Sequence, residues 1–203
     1  MKIVRRVLTS FVPWHWFFAS REGKDFLFLR DETQSMASSH EKNYPNQLLE
    51  LVNSIVDKDV NFREVRLQSE ITVSPEWTSQ FVLDEAPVNY SGVASVYHGV
   101  EKTLALAVER TWKVQNKMII LIRTDGLEHS SGTWRIWVWR MLLHFIAGQN
   151  VTIYLISNEE VSKKLIKALG ITGKQIMRLD PVEPDPAFVK TAKTISRMSK
   201  QTT

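Results

Sequence analysis

The sequence predicts an α/β domain, a doubly wound, mainly parallel six-stranded sheet with one antiparallel edge strand and helices on both faces. Three observations carry that prediction. Strand-like and helix-like segments alternate along the chain, which implies parallel pairing through right-handed crossovers. The strongest strand signals, MIILI at 118–122 and VTIYLIS at 151–157, are largely unbroken apolar runs, as in strands covered on both faces. Two helical stretches end on stop signals, Gly148 with Asn150 and then Gly170.

The elements follow in order. DFLFL (25–29) is a short apolar run and reads as a buried strand. NQLLELVNSIV (46–56) gathers Leu48, Leu49, Leu51, Val52, Ile55 and Val56 on one side of a helix, with Pro45 near its start. REVRLQSEITV (63–73) alternates Val65, Leu67, Ser69, Ile71 and Val73, a strand with one buried face. SQFVLDEAP (79–87) is its expected hairpin partner at a sheet edge. A helix over 95–112 turns Val96, Val100, Leu104, Ala107, Val108 and Trp112 inward. The strand 117–122 follows, and then a helix over 132–150.

In that helix Trp134, Val138, Met141, Leu142 and Phe145 form one stripe and are expected in the core. Trp137, Trp139, Arg135 and Arg140 lie off the stripe. They suit an interface, a second packed face, or stacking against PWHWFF at 13–18. The strand 151–157 leads to a helix over 158–170 with Asn158 as N-cap and acids in its first turn. A last strand (174–180), a Pro-rich link and an amphipathic helix (187–200) complete the pattern.

Composition bounds the function. With 203 residues, 43% hydrophobic and 24% charged, the chain can build one domain with a substantial core. Residues 24–203 are expected to form it, with 1–23 as an N-terminal extension. A net charge of +4 is too small to imply nucleic acid, and none is expected as a partner. Much of the excess sits near the ends, at Lys2, Arg5, Arg6 and Arg21, and at Lys190, Lys193, Arg197 and Lys200. The absence of cysteine excludes disulfides, thiolate metal sites and cysteine nucleophiles, and it fits a cytoplasmic protein. MKIVRR followed by VLTSFVPWHWFFAS has the outline of an export signal. Pro13, His15 and two Trp interrupt its apolar run, which is too short to span a bilayer. Export is therefore the second reading, and no stable membrane insertion is expected.

In such sheets ligands sit beyond the carboxyl ends of central strands. Two of the predicted strands end in carboxylates. Asp31-Glu32-Thr33-Gln34-Ser35-Met36 follows the first, and Arg123-Thr124-Asp125-Gly126 follows the strand 117–122. If those strands are neighbours, Asp31 and Asp125 share one cleft. Hydroxyls at alternate positions of a tight loop, together with carboxylates, suit a hard divalent cation. A plain helix cap by Thr33 or Ser35 is the competing reading of the first loop. The five histidines show no metal-ligand spacing, although His129 lies just past Asp125.

FLFLRDETQSM resembles the Asp-x-Ser-x-Ser motif of von Willebrand factor A domains, including the Met that often follows. MIILIRTDG resembles their second signature, an apolar strand ending in Thr-Asp-Gly. The resemblance covers roughly residues 24–200 by element order. It implies a metal-ion-dependent adhesion site holding magnesium or manganese. By position, Asp31, Thr33 and Ser35 match its first loop, with Thr33 in place of Ser, and Asp125 matches its third. The middle loop departs from the pattern. In YSGVASVYHGV, Ala94 stands where the family carries a ligand Thr, with Ser95 or Ser91 as the available substitute. The closing RLDPVEPDPAF resembles, more loosely, stand-alone bacterial A domains encoded with tellurite-resistance and related stress proteins.

The resemblance implies a protein–protein interaction domain whose partner supplies an Asp or Glu to the ion. Two alternatives stay open. One is a metal-independent scaffold of the same fold, favoured by Ala94. The other is an enzyme, because Asp-x-Thr-x-Ser after an apolar strand also resembles the loop of haloacid-dehalogenase-like phosphatases. Asp31 would then be the nucleophile. Those enzymes also need an acidic pair after a later strand, typically beginning Gly-Asp, whereas the strand 151–157 ends in Ser157-Asn158-Glu159-Glu160.

Overall fold

The structure, a computed structural model, describes residues 23–33, 60–78, 95–114, 116–124, 133–148, 150–157 and 163–178. The helices expected over 46–56 and 187–200, the edge strand at 79–87, Asn158 and residues 1–22 lie outside them. The described elements are β1 (Lys24–Asp31), β2 (Val60–Leu67), β3 (Ile71–Val73), α1 (Val96–Lys113), β4 (Lys117–Arg123), α2 (Thr133–Ala147), β5 (Val151–Ser157), α3 (Lys163–Leu169) and β6 (Ile176–Arg178). A short 3-10 turn, Gly173–Gln175, leads into β6 where the sequence predicted strand from 174.

The sheet order is β3-β2-β1-β4-β5-β6. Strands β2, β1, β4, β5 and β6 run parallel, and β3 pairs antiparallel to β2 at one edge. This is the mainly parallel sheet with one antiparallel edge that the sequence predicts, but the antiparallel pair arises within 63–73. Residues 63–73 are not one strand. The chain reverses at Gln68-Ser69-Glu70, where the Gln68 N–H donates to the Glu70 carbonyl at 3.1 Å. β3 then folds back with Leu67 opposite Ile71 and Val65 opposite Val73. The alternation Val65, Leu67, Ser69, Ile71, Val73 keeps its phase through a three-residue turn, so its period gave no sign of the hairpin.

Leu27, Leu29, Val65, Leu67, Ile120, Ile122, Ile153 and Leu155 form one buried face of the sheet, on which α1, α2 and α3 pack as a single layer. Phe26, Phe28, Phe62, Leu121 and Ile156 are equally buried on the other face. Burial on both faces is what the unbroken apolar runs imply. In α1 the expected Val96, Val100, Leu104, Ala107 and Val108 are buried, but Trp112 is 46% exposed. Steps of four residues advance about 400° in a 3.6-residue helix, a drift of about 40° each, so four steps carry Trp112 off the stripe. Thr111 takes the inward place.

The orientation of α2 reverses the prediction. Trp134, Val138, Met141, Leu142 and Phe145 face outward, while Ile136, Leu143 and Ala147 are buried. Both sides of this helix are apolar, so periodicity could not choose between them. The stripe with the smaller side chains is the one that fits between α1, α3 and the sheet. The predicted stops hold. Gly148 (φ 61°) and Gly170 (φ 63°) adopt the left-handed conformation just past α2 and α3.

Candidate functional site

The connectivity leaves β1 toward β2 on one side and returns to β4 on the other. The switch point therefore lies between β1 and β4, where open α/β sheets bind ligands. Those two strands are direct neighbours, with Arg30 opposite Arg123 at their carboxyl ends. Asp31 closes β1 and Thr124 stands one residue beyond β4. The ladders continue past them, because the Glu32 N–H donates to the Leu67 carbonyl at 2.8 Å and the Thr124 N–H to the Ile156 carbonyl at 3.1 Å. That backbone pairing fixes where both side chains point.

Asp31, Thr33 and Thr124 are all buried. The Thr124 hydroxyl donates to Asp31 Oδ2 at 2.7 Å. Asp31 Oδ1 accepts from the Thr33 N–H at 3.0 Å and from the Thr33 hydroxyl at 2.6 Å. The backbone bond to residue i+2 is an Asx turn, which folds the loop over the strand end. Sequence reasoning named Asp31 and Thr33. It treated Thr124 only as part of a signature and missed that its hydroxyl reaches across to the neighbouring strand. The available signal was a hydroxyl placed one residue before Asp125, on a strand predicted to lie beside β1.

The opposite face of the same strand ends is ionic. Arg30 Nε pairs with Glu32 Oε1 at 2.6 Å, both side chains almost fully buried. Glu32 Oε2 also accepts from Gln68 Nε2 at 2.8 Å, and Glu64 approaches Arg30 Nη1 at 3.8 Å. Two buried arginines, Arg30 and Arg123, thus lie side by side across β1 and β4. Neither was expected from strands that read as apolar.

Ser95 is the N-cap of α1, and its Oγ accepts from the His98 N–H at 3.3 Å. It lies at the same end of the sheet as Asp31, since Gly99, one turn further on, packs against Leu29 and Leu67. Ser35, Asp125 and His129 fall outside the described residues. The structure thus brings Asp31, Thr33 and Thr124 together and places Ser95 at the same end. Among the described residues no three of His, Asp and Glu converge as a metal-binding group. Nor is any described helix long and apolar enough to cross a membrane.

The donor set suits a hard cation nonetheless. A carboxylate and hydroxyls are the ligands such ions take.

No family model and no curated protein matches the chain. Solved structures do. Manganese-loaded TRAP protein from Plasmodium vivax aligns over 85% of this chain and 74% of its own, at 16% identity and a TM-score of 0.54. BatB from Bacteroides thetaiotaomicron aligns over 88% and 100%, at 12% identity and a TM-score of 0.56. A von Willebrand factor type A structure from Catenulispora acidiphila aligns over 89% of this chain at 14% identity and a TM-score of 0.53. The chain spans 42% of that last structure, and 48% of the mussel byssus proximal thread matrix protein that it also resembles. At these identities the likeness is one of fold. The chain has a von Willebrand factor A-like fold, with Asp31 and Thr124 at the switch point of its sheet.

Proposed function

We propose that this chain recognises a protein partner through a divalent cation, magnesium or manganese, at the carboxyl ends of β1 and β4. Asp31, Thr33, Ser35 and Asp125 would hold the ion. Ser95 would contribute its hydroxyl oxygen from the start of α1, where it caps the helix. An Asp or Glu of the partner would complete the shell.

The observation that carries this reading is the Asp31 carboxylate, buried at the switch point and held by the Thr33 and Thr124 hydroxyls. Asp125 follows Thr124 directly in the sequence. The manganese in the Plasmodium structure, on the same fold, is consistent with it.

Thermal unfolding with and without magnesium tests the proposal. At one hundred times the dissociation constant the ion stabilises the folded state by about 2.7 kcal/mol. For a chain of this size that raises Tm by roughly 5–10 °C. Asp31→Ala or Asp125→Ala abolishes the rise. No shift at millimolar magnesium or manganese would sink the ion site and leave a metal-independent scaffold. Acyl-phosphate trapping at Asp31 would instead support the phosphatase reading.

A further inference from the structure

Helix α2 carries large apolar side chains on its outward side as well as its inner one. Ile136, Leu143 and Ala147 fill the core, yet Trp134, Met141 and Phe145 are 64%, 44% and 51% exposed on the face directed away from it. A contiguous exposed patch of Trp, Met and Phe marks a covered surface. Beside it, between α1 and α2, runs a groove of about 390 Å³ walled by Leu106, Val108, Trp112 and Trp139, with Lys102 and Lys113 among its polar lining residues.

We propose that residues 11–18 of this chain, FVPWHWFF, seat in that groove and cover the outward face of α2. The occupant follows from where the chain enters the fold. The Gly23 carbonyl accepts from the Lys117 N–H at 3.1 Å, at the amino end of the sheet. Asn116, three residues past Lys113 in the groove wall, donates to Asp25 at 3.0 Å. Helix α2 also finishes at this end, since the Met118 N–H donates to the Asn150 carbonyl at 2.8 Å. The chain therefore enters the sheet at Gly23, at the same end as Trp112 and Lys113 of the groove wall.

The reach is sufficient. Five to twelve residues separate this segment from Gly23, and at about 3.4 Å each they span up to roughly 17–40 Å. The helix layer to be crossed is about 10–12 Å thick. The chemistry also matches. The segment carries no Asp, Glu, Lys or Arg. In extended form, which Pro13 favours for the residue before it, Trp14, Trp16 and Phe18 fall on one side at alternate positions. One aromatic edge then meets one apolar face.

The cysteine-free chain makes the test clean. Trp14→Cys, Trp16→Cys or Phe18→Cys is combined with Trp112→Cys or Phe145→Cys in the full chain. Thr72→Cys, exposed on β3, is the control partner. A disulfide needs Cα atoms within about 7 Å. Mild oxidation is expected to give a monomer, two hydrogens lighter, for at least one pair and faster than for the control. Covalent dimers alone would assign the face to a second copy and overturn the proposal. So would the absence of any bond, or a rate equal to that of the control. As a second readout, Met141→Asp is expected to speed chymotryptic cleavage within residues 11–18 about tenfold, because opening exposes them. An unchanged rate overturns the proposal as well.

Discussion

Thr124→Val is the sharpest perturbation of the site. It removes one oxygen, keeps the branched shape, and acts where both partners are fully buried. The lost bond is the 2.7 Å donation to Asp31 Oδ2. A hydrogen bond to a charged group contributes about 1.5–3 kcal/mol. Spread over a chain of this size, each kcal/mol moves Tm by about 2–4 °C, so the variant should melt roughly 3–12 °C lower in chelator. Thr124→Ser restores the hydroxyl and should recover most of the loss. Isothermal titration with manganese supplies the second reading. If Thr124 orients Asp31 for an ion, the variant binds about 10–100 times more weakly. A Tm within about 1 °C of the parent would refute the hydrogen-bond argument. A lowered Tm with unchanged manganese affinity would refute the positioning argument and leave a purely structural bond.

Three further outcomes follow from the packing. Asp25→Ala strips the acceptor from Arg110, Asn61 and Asn116. Breaking such a buried pair costs about 3–5 kcal/mol, readable in a urea melt. Leu143→Ala should cost about 2–5 kcal/mol, and Leu142→Ala, on the 38% exposed side, clearly less. The reverse order in denaturant titrations would show that α2 sits the other way round. Burial raises the Tyr154 hydroxyl above its ordinary pKa of 10.0, so the folded state keeps a proton that the unfolded state gives up. Stability from this group is complete below about pH 10 and declines as pH rises from there through the raised folded-state value. Melts between pH 8 and pH 11 should fall less steeply for Tyr154→Phe than for the parent.

The parallel strands were legible because burial on both faces writes an unbroken apolar run, as in 118–122 and 151–157. The places of Asp31 and Thr33 were legible because a strand's end is where such a run stops. What escaped has definite physical causes. The β2–β3 hairpin hid inside a phase-preserving alternation. The inner face of α2 was undecidable because its larger stripe, Trp134 to Phe145, is not the one the core can accept. Arg30 and Arg123 were passed over, because a buried guanidinium has no signature until its carboxylate, Glu32 beside Arg30, is in place across the same strand end. The Thr124 contact required knowing that β4 lies next to β1, which element order allows but does not dictate.

Strand β1 carries a buried carboxylate at each end, and their surroundings differ in kind. Asp25 is held by Arg110 Nε and Nη2 at 2.8 and 3.0 Å and by the amide nitrogens of Asn61 and Asn116 at 2.9 and 3.0 Å. Every one of those contacts is an N–H donor, and the guanidinium already supplies the opposing charge. A cation brought there would meet Arg110 first. That end ties β1, β2, α1 and the start of β4 together, and its chemistry is complete. At the other end Asp31 takes one backbone N–H, from Thr33, and the hydroxyls of Thr33 and Thr124, with no guanidinium among these partners. The same burial thus produces a closed knot at the amino end and an oxygen-lined seat at the carboxyl end. Exchanging the chemistry tests the distinction. Thr124→Lys would place an ammonium beside Asp31 and should make folding independent of magnesium, as Arg110 does for Asp25. A Thr124→Lys protein that still gains stability from the ion would show that the hydroxyls were not what made the seat.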